Sequence, residues 1–255
     1  MTLIYENLLS PFIEDAGTLT IGFFDGMHKG HKELLQKVKE NPLGKTAVIT
    51  FWNHPSTFFT RKDLGLISSR SQRLELLEKE GIDVIYVFSF DKAFSEKSYS
   101  SFLQEIRKKF PFKRLVLGKG STFGKNREGT KENLLSFGKD EGFEVKYVDL
   151  KKEKEVISSS LVRSFLEKKE LTKVEELLER PFSLYLSRIL SCTPEKMGFE
   201  LEDISALKEG EYAFEIPSLS YKSTLFYQKK RVEMKPVPFV LNLPLEIRVK
   251  SSNKL

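Results

Sequence analysis

TLTIGFFDGMHKGH, residues 18–31, is the stretch on which the reading of the whole chain turns. Its first half, TLTIGFF (18–24), has the short apolar run of a strand, and HKELLQKVKE (31–40) has the period of a helix. Between them lie Gly22, Asp25, Gly26, His28, Gly30 and His31. Two imidazoles three residues apart can point the same way where a helix starts. Glycine lets a ligand come close to the main chain, and a helix N-terminus offers free N–H groups and a partial positive charge. Such a place suits a polyphosphate. Asp25 is the local acid, and the position before Gly26 is equally that of a plain turn residue. The chain has three histidines, His28, His31 and His54, and all sit just beyond predicted strand ends.

Outward from this stretch, strand and helix patterns alternate. KTAVITF (45–51) reads as a strand, followed by a loop containing NHPSTFF (53–59). RLELLEKEG (73–81) is a helix ended by Gly81, and DVIYVFSF (83–90) is a strand with too little alternation to be half exposed. SYSSFLQEIRKKF (98–110) puts Tyr99, Phe102, Leu103, Ile106 and Phe110 on one helical face. RLVLG (114–118) and FEVKYVDL (143–150) read as strands around a helix at KENLLSFGKDEG (131–142), and 159–179 is helical. This order implies an α/β fold with a parallel sheet, whose ligands bind beyond the carboxyl ends of the strands. After Pro181 the helical period fades. YAFEI (212–216), STLFY (223–227), PFVLN (238–242) and LEIRV (245–249) read as short strands of a small β-rich C-terminal domain. The expected division is 1–182 and 183–255.

Composition narrows the class. Of 255 residues 40% are hydrophobic and 31% charged, an ordinary soluble balance. No apolar run approaches the ~20 residues of a membrane helix. The N-terminal MTLIYENLLSPFIEDAG lacks the basic region of a signal peptide. The single cysteine, Cys192, allows no internal disulfide and fits a reducing cytoplasm. The net charge of +6 comes largely from bases interleaved with acids, as in KKEKE (151–155) and EKKELTK (167–173). These read as solvated faces, so neither nucleic acid nor membrane is an expected partner, although a small basic excess favours polyphosphate substrates. Zinc has no ligand spacing here, and no protein-held metal is expected. GKGSTFGKNREGTK (118–131) is not a P-loop, because Lys119 stands where the first glycine is needed and Asn126 where Ser or Thr is needed. The oligomeric state is left open.

ISSSLVR (157–163) is the second candidate site. Ser158 and Ser159 precede an apolar helical pattern, where serines commonly act as N-caps. Arg163 lies one turn in. Hydroxyls, free N–H groups and an arginine fork also make a phosphate cradle.

These residues resemble a known family. GFFDGMHKGH is similar to the G-x-FDG-x-H-x-GH signature of bacterial FAD synthetase, the bifunctional riboflavin kinase/FMN adenylyltransferase. TFWNHP (50–55) resembles its TF-x-PHP with Asn53 in place of the first proline, and ISSSLVR resembles its ISST-x-IR. GKGSTFG (118–124) looks like its G-x-DF-x-FG, with Gly120 and Ser121 replacing Asp and Phe. The likeness covers roughly 17–182 and ends in ERPFSL, which resembles the family's domain junction. Beyond it, MGFELEDI (197–204) is the best match to the kinase signature GFPTAN, with Glu200, Leu201, Glu202 and Asp203 replacing PTAN.

The resemblance implies a Rossmann-like nucleotidyltransferase domain in which the FMN phosphate attacks the α-phosphorus of ATP, giving FAD and pyrophosphate. It assigns His28, His31 and Arg163 to catalysis. Gly22, Phe23, Asp25, Gly26, Ser158 and Ser159 join them around ATP. Asn53, His54, Pro55, Phe58 and Phe123 fall on the flavin side, with Phe59 beside them, although such aromatics equally serve as core. Mg²⁺ is expected to arrive with ATP. Riboflavin kinase activity is expected to be lost. Two other readings stay open at this point: a nucleotidyltransferase with another phosphate-bearing acceptor, and a non-enzymatic flavin-binding or interaction protein.

Overall fold

The computed structural model describes residues 1–60, 64–149, 157–237 and 243–250. It divides into two compact units. One comprises Met1–Phe24, Gly30–Lys62 and Leu76–Val156; the other comprises Asp25–Lys29, Asp63–Glu75 and Ile157–Leu255. The junction expected near residue 182 falls at the start of a strand, whereas the second compact unit also takes in 25–29, 63–75 and 157–182.

The elements in chain order begin with β1 (Leu3–Glu6), β2 (Ala16–Ile21), α1 (Lys29–Lys39), β3 (Lys45–Phe51) and α2 (Pro55–Thr60). Next come α3 (Arg70–Lys79), β4 (Val84–Phe88), α4 (Lys92–Ser95), α5 (Tyr99–Arg107) and β5 (Arg114–Gly118). Then follow α6 (Lys131–Glu141), β6 (Glu144–Val148), α7 (Ser159–Glu167) and α8 (Leu171–Leu178). The remaining strands are β7 (Ser183–Cys192), β8 (Met197–Leu201), β9 (Gly210–Ile216), β10 (Tyr221–Gln228), β11 (Arg231–Met234) and β12 (Leu245–Lys250).

The first unit is built on a six-stranded sheet in the order β1-β4-β3-β2-β5-β6, and every pair is parallel. Parallel strands covered on both faces need continuous apolar runs. VIYVF of β4 is buried throughout and KTAVITF of β3 is buried after its first residue. The α/β parallel-sheet expectation therefore holds. Local signals set the helices. Ser98 Oγ caps α5 by accepting from Ser101 N–H, Thr130 caps α6, and Gly142 ends α6 in the left-handed conformation at φ 75°. Phe102, Leu103 and Ile106 of α5 face the core, with Phe110 just beyond the helix also buried.

The second unit holds a closed barrel, β10-β11-β8-β7-β12-β9, with antiparallel neighbours throughout. Its core continues into α7 and α8 through Val162, Leu166, Leu171, Val174 and Leu178. Closure removes the sheet edges that a 70-residue open sheet would expose.

Several boundaries differ from the expectation. The strand read at 18–24 stops at Ile21, because Phe24 takes a positive φ of 58° and turns the chain. NHPSTFF contains α2, whose first residue is Pro55, where a missing N–H and a fixed φ favour a helix start. The helical stretch after 159 is two helices, broken where Lys169 takes φ 59°. β1 was not anticipated; four residues carry too short a pattern. The strand expected at 238–242 lies outside the described residues, as does Leu150 at the end of the 143–150 reading.

Candidate active site

The turn after β2 is shared between the compact units, with Gly22–Phe24 and His31 in the first and Asp25–Lys29 in the second. Each part has its own supports.

In the second unit, Asp25 is the organising group. It is 1% exposed. Its Oδ1 accepts from the backbone N–H of Ile67 and of Ser68, each at 3.0 Å, and its Oδ2 accepts from Arg163 Nη2 at 2.5 Å. Arg163 Nε donates to the Gly65 carbonyl at 3.0 Å. One guanidinium is thus fixed at two points, the Asp25 carboxylate and the Gly65 carbonyl. The main chain of the turn is held as well. Ser68 Oγ accepts from Gly26 N–H at 2.9 Å, Ser159 Oγ donates to the Asp25 carbonyl at 3.1 Å, and Arg180 Nη2 donates to the Gly26 carbonyl at 3.1 Å. Gly26 sits at φ 79° with Ile67 so close that a Cβ would lie 2.6 Å from its Cγ2. Met27 also takes a positive φ, 43°, although its side chain is fully buried. Such conformations cost about 1–3 kcal/mol each and persist where surroundings over-determine them. The hydrogen bonds around Asp25 and Gly26 do that here.

Ser158 Oγ accepts from Leu161 N–H at 3.2 Å and caps α7, while Ser159 ties α7 to Asp25. The two serines therefore have structural partners, whatever else they hold. His28 is 3% exposed. Burial, aided by the Arg163 charge, pushes its imidazole down to about 4. At neutral pH it is an uncharged ring with one donor and one acceptor nitrogen. Burial pushes the Asp25 carboxyl up, against Arg163 and the Ser68 and Ile67 amides, which pull it back. Burial also lowers the Arg180 guanidinium to about 10, opposed by Glu246, Tyr185 and Asp25, so it stays protonated at neutral pH.

In the first unit, a cavity of about 300 Å³ opens at the carboxyl ends of the central strands. Ile21 and Gly22 of β2 and its turn, Phe51 of β3 and Leu117 of β5 line it. β2 and β5 are where the chain, having built the sheet toward β3 and β4, reverses to the other side, and this is the switch point at which open α/β sheets bind ligands. Phe51, Phe59, Phe90, Phe94, Phe102 and Phe123 supply an aromatic wall, and Lys97 and Arg127 add two cations to it. Its size lies at the lower end of the ~300–1,000 Å³ typical of ligand pockets.

Of the residues expected on the flavin side, Pro55, Phe59 and Phe123 line this cavity. Asn53, His54 and Phe58 stand outside its wall. Asn53 clasps the main chain of Phe90, donating from Nδ2 to its carbonyl at 2.8 Å and accepting its N–H at 2.9 Å. An asparagine in place of proline is thereby explained, because the clasp holds the β4 end that carries Phe90. His54 Nδ1 accepts from Ser56 N–H at 3.1 Å, and its ring stands edge-on to Phe23 with 4.5 Å between centroids. Phe58 packs on Phe59 and Phe90. His31 packs edge-on against Phe24, 5.2 Å between centroids. Sequence reasoning missed Phe51, Phe90, Phe94 and Phe102, although Phe51 and Phe90 both stand at strand ends. It also missed Ser68, and it read Arg180 only as part of a junction.

Comparison with known proteins agrees with this architecture. Residues 13–161 match the FAD synthetase family. The bifunctional riboflavin kinase/FMN adenylyltransferase of Listeria monocytogenes is 32% identical over 171 residues, covering 65% of this chain and 54% of the relative. The protein of the same name from Escherichia coli K12 is 31% identical over 182 residues, covering 69% and 58%. That from Buchnera aphidicola subsp. Schizaphis graminum is 29% identical over 236 residues, covering 86% and 72%. The chain thus spans little more than half the length of the first two. A crystal structure described as a macrolide-efflux protein from Streptococcus pneumoniae shares the fold, with a TM-score of 0.76 at 22% identity over 100% of this chain and 92% of that one. More than half of the 255 residues match one family, in the region that builds the parallel sheet and its strand-end cavity, and the chain belongs to the FAD synthetase family.

Proposed function

We propose that the chain is an FMN adenylyltransferase of the cytoplasm, moving AMP from ATP to the phosphate of FMN with release of pyrophosphate. Residues 1–182 serve as the transferase domain and 183–255 as a barrel derived from the kinase. The carrying observation is the aromatic cavity at the sheet's switch point, since a flat apolar tricyclic ring needs such walls. A phosphate oxygen of FMN forms the new bond to the α-phosphorus, and the bond to the β-phosphate oxygen breaks. Nothing in the chain becomes covalently linked. Catalysis is positioning plus stabilisation of charge on the phosphates. Arg163 is held ready for this by Asp25 and Gly65, and neutral His28 donates or accepts one hydrogen bond without adding charge. His31, in the first turn of α1, and Gly22, just after β2, are assigned to the nucleotide by their places in the signature.

Among the described residues the side chains form no cage for Mg²⁺. Among the described residues no three of His, Cys, Asp and Glu cluster to hold a metal, and both Asp25 oxygens already accept hydrogen bonds. Phosphate oxygens of ATP are left as its ligands, and no step is assigned to a metal held by the protein.

Loss of riboflavin kinase activity is supported by the barrel. Glu202 and Asp203, in the signature positions, accept hydrogen bonds from Ser71 and Arg70. The cavity beside Asp203 has about 10 Å³, room for about one water rather than a nucleotide. The test is incubation with Mg·ATP and either FMN or riboflavin, followed by chromatography. FAD and pyrophosphate are expected from FMN, and no FMN from riboflavin. An FMN reaction without FAD would remove the proposal, and FMN made from riboflavin would restore the kinase. A second expected outcome separates the two substrates. Phe123→Ala removes one wall of the cavity and should raise the KM for FMN about 10-fold, equivalent to ~1.4 kcal/mol, with the KM for ATP unchanged. Equal effects on both would take Phe123 out of the flavin site.

A further inference from the structure

The substitutions that empty the kinase signature leave two carboxylates with partners of their own. Asp203 Oδ2 accepts the Arg70 backbone N–H at 2.9 Å, and Glu202 accepts the Ser71 hydroxyl at 2.8 Å and its N–H at 3.2 Å. Two of the free N–H groups at the start of α3 are thereby satisfied by anions, the charge that end of a helix favours. The next residues of the barrel continue the grip. Leu66 N–H donates to the Ile204 carbonyl and Ala206 N–H to the Leu66 carbonyl, each at 2.8 Å. Gly65 is pressed so tightly on this loop that a Cβ would lie 2.7 Å from the Ala206 Cα.

The segment gripped on one side by 202–206 is the segment that holds Asp25 and Arg163 on the other. Gly65 offers its carbonyl to Arg163 Nε, Leu66 is paired with the barrel, and Ile67 and Ser68 offer their N–H groups to Asp25. Contacts to the two sides alternate along the chain within seven residues, 65–71. A shift of this segment is felt at the Arg163 guanidinium, because one group that fixes it, the Gly65 carbonyl, belongs to the segment, and the other, the Asp25 carboxylate, is hydrogen-bonded to it through Ile67 and Ser68.

We propose that Glu202 and Asp203 are positioning residues for the transferase site: they fix segment 65–71, which fixes Asp25 and so aims Arg163 at the triphosphate. The inference rests on the adenylyltransferase reading for its kinetic consequence, though not for its structural one. On this view the barrel is retained as part of the transferase, with two positions of the lost kinase signature now bracing the transferase site.

The test compares the full chain with the Glu202→Ala/Asp203→Ala double variant and with Glu202→Gln/Asp203→Asn, whose amide oxygens still accept hydrogen bonds. In the alanine variant the KM for ATP should rise about 10-fold with the KM for FMN within about 2-fold, and the amide variant should recover most of the loss. Reduced thermal stability with both KM values unchanged would mark the pair as merely structural and overturn the proposal. A direct readout is the ¹⁵N resonance and hydrogen exchange of Arg163 Nε–H, assigned with Arg163→Lys. Its exchange should quicken at least 10-fold in the alanine variant. If wild type makes no FAD while this signal changes, the coupling stands and the adenylyltransferase reading falls. If wild type makes FAD and neither the signal nor the KM for ATP moves, the coupling falls. Should the alanine pair fail to fold, the single variants Glu202→Ala and Asp203→Ala are read by the same signal, and an unchanged exchange rate in both overturns the coupling.

Discussion

Asp25→Ala is expected to destabilise the fold by about 3–5 kcal/mol and, on the proposed function, to lower FAD formation by at least about 100-fold. The carboxylate is almost fully buried, and four donors converge on it: the Ile67 and Ser68 main-chain N–H groups, the Ser68 hydroxyl and Arg163. Alanine leaves two backbone N–H groups without acceptors and a guanidinium with a side-chain exposure of only 15% without its counter-charge. Removing one partner of a buried pair is costly because the other charge stays buried. The catalytic loss follows separately, since Arg163 would keep only the Gly65 carbonyl to orient it. Asp25→Asn should fall between, because its oxygen still accepts the two amides but offers no charge. Urea denaturation and steady-state kinetics on the three proteins make the comparison. A loss below about 1 kcal/mol in Asp25→Ala would mean that the turn is held by other contacts.

This cluster also shows where sequence reading reached its limit. Strand cores such as KTAVITF and VIYVF announce burial by their own composition, and Ser98, Thr130 and Gly142 mark helix ends locally. The parallel sheet was therefore legible. His28, His31 and ISSSLVR stood out as phosphate-type segments because each carries its chemistry within a few residues. Asp25 was readable only as a turn residue or a nucleotide contact. Its bonds to Ile67 and Ser68 span more than forty residues and that to Arg163 spans 138, and no local pattern encodes such distances. The aromatic cavity was missed for a related reason. With 21 phenylalanines in the chain, nothing about Phe94 or Phe102 distinguishes a cavity wall from core until the sheet order brings strand ends together. Glu202 and Asp203 looked like decay of a signature. They are reassigned groups, visible as such only once α3 is seen to begin against them.

The buried histidine yields the other large effect, and its sign is fixed by linkage. His28 has a folded pKa near 4 against an ordinary value of 6.5. Between those values the unfolded chain holds a proton on this ring and the folded chain does not, so stability rises with pH across the window. The contribution is fully present above 6.5 and is lost as pH falls toward 4. A difference of that width corresponds to about 3 kcal/mol at most. His28→Gln retains an amide donor and acceptor but cannot titrate. Its stability relative to wild type should therefore improve by about 3 kcal/mol on going from pH 7.5 to pH 4, while carboxylates elsewhere cancel in the comparison. ATP should oppose the trend, because triphosphate charge beside the ring favours its protonated form. Saturating ATP, on the proposed function, then moves the wild-type inflection to higher pH and leaves His28→Gln unaffected. Parallel stability curves for the two proteins would show that His28 is not held neutral, and its assignment as an uncharged hydrogen-bonding ring at the triphosphate would go with them.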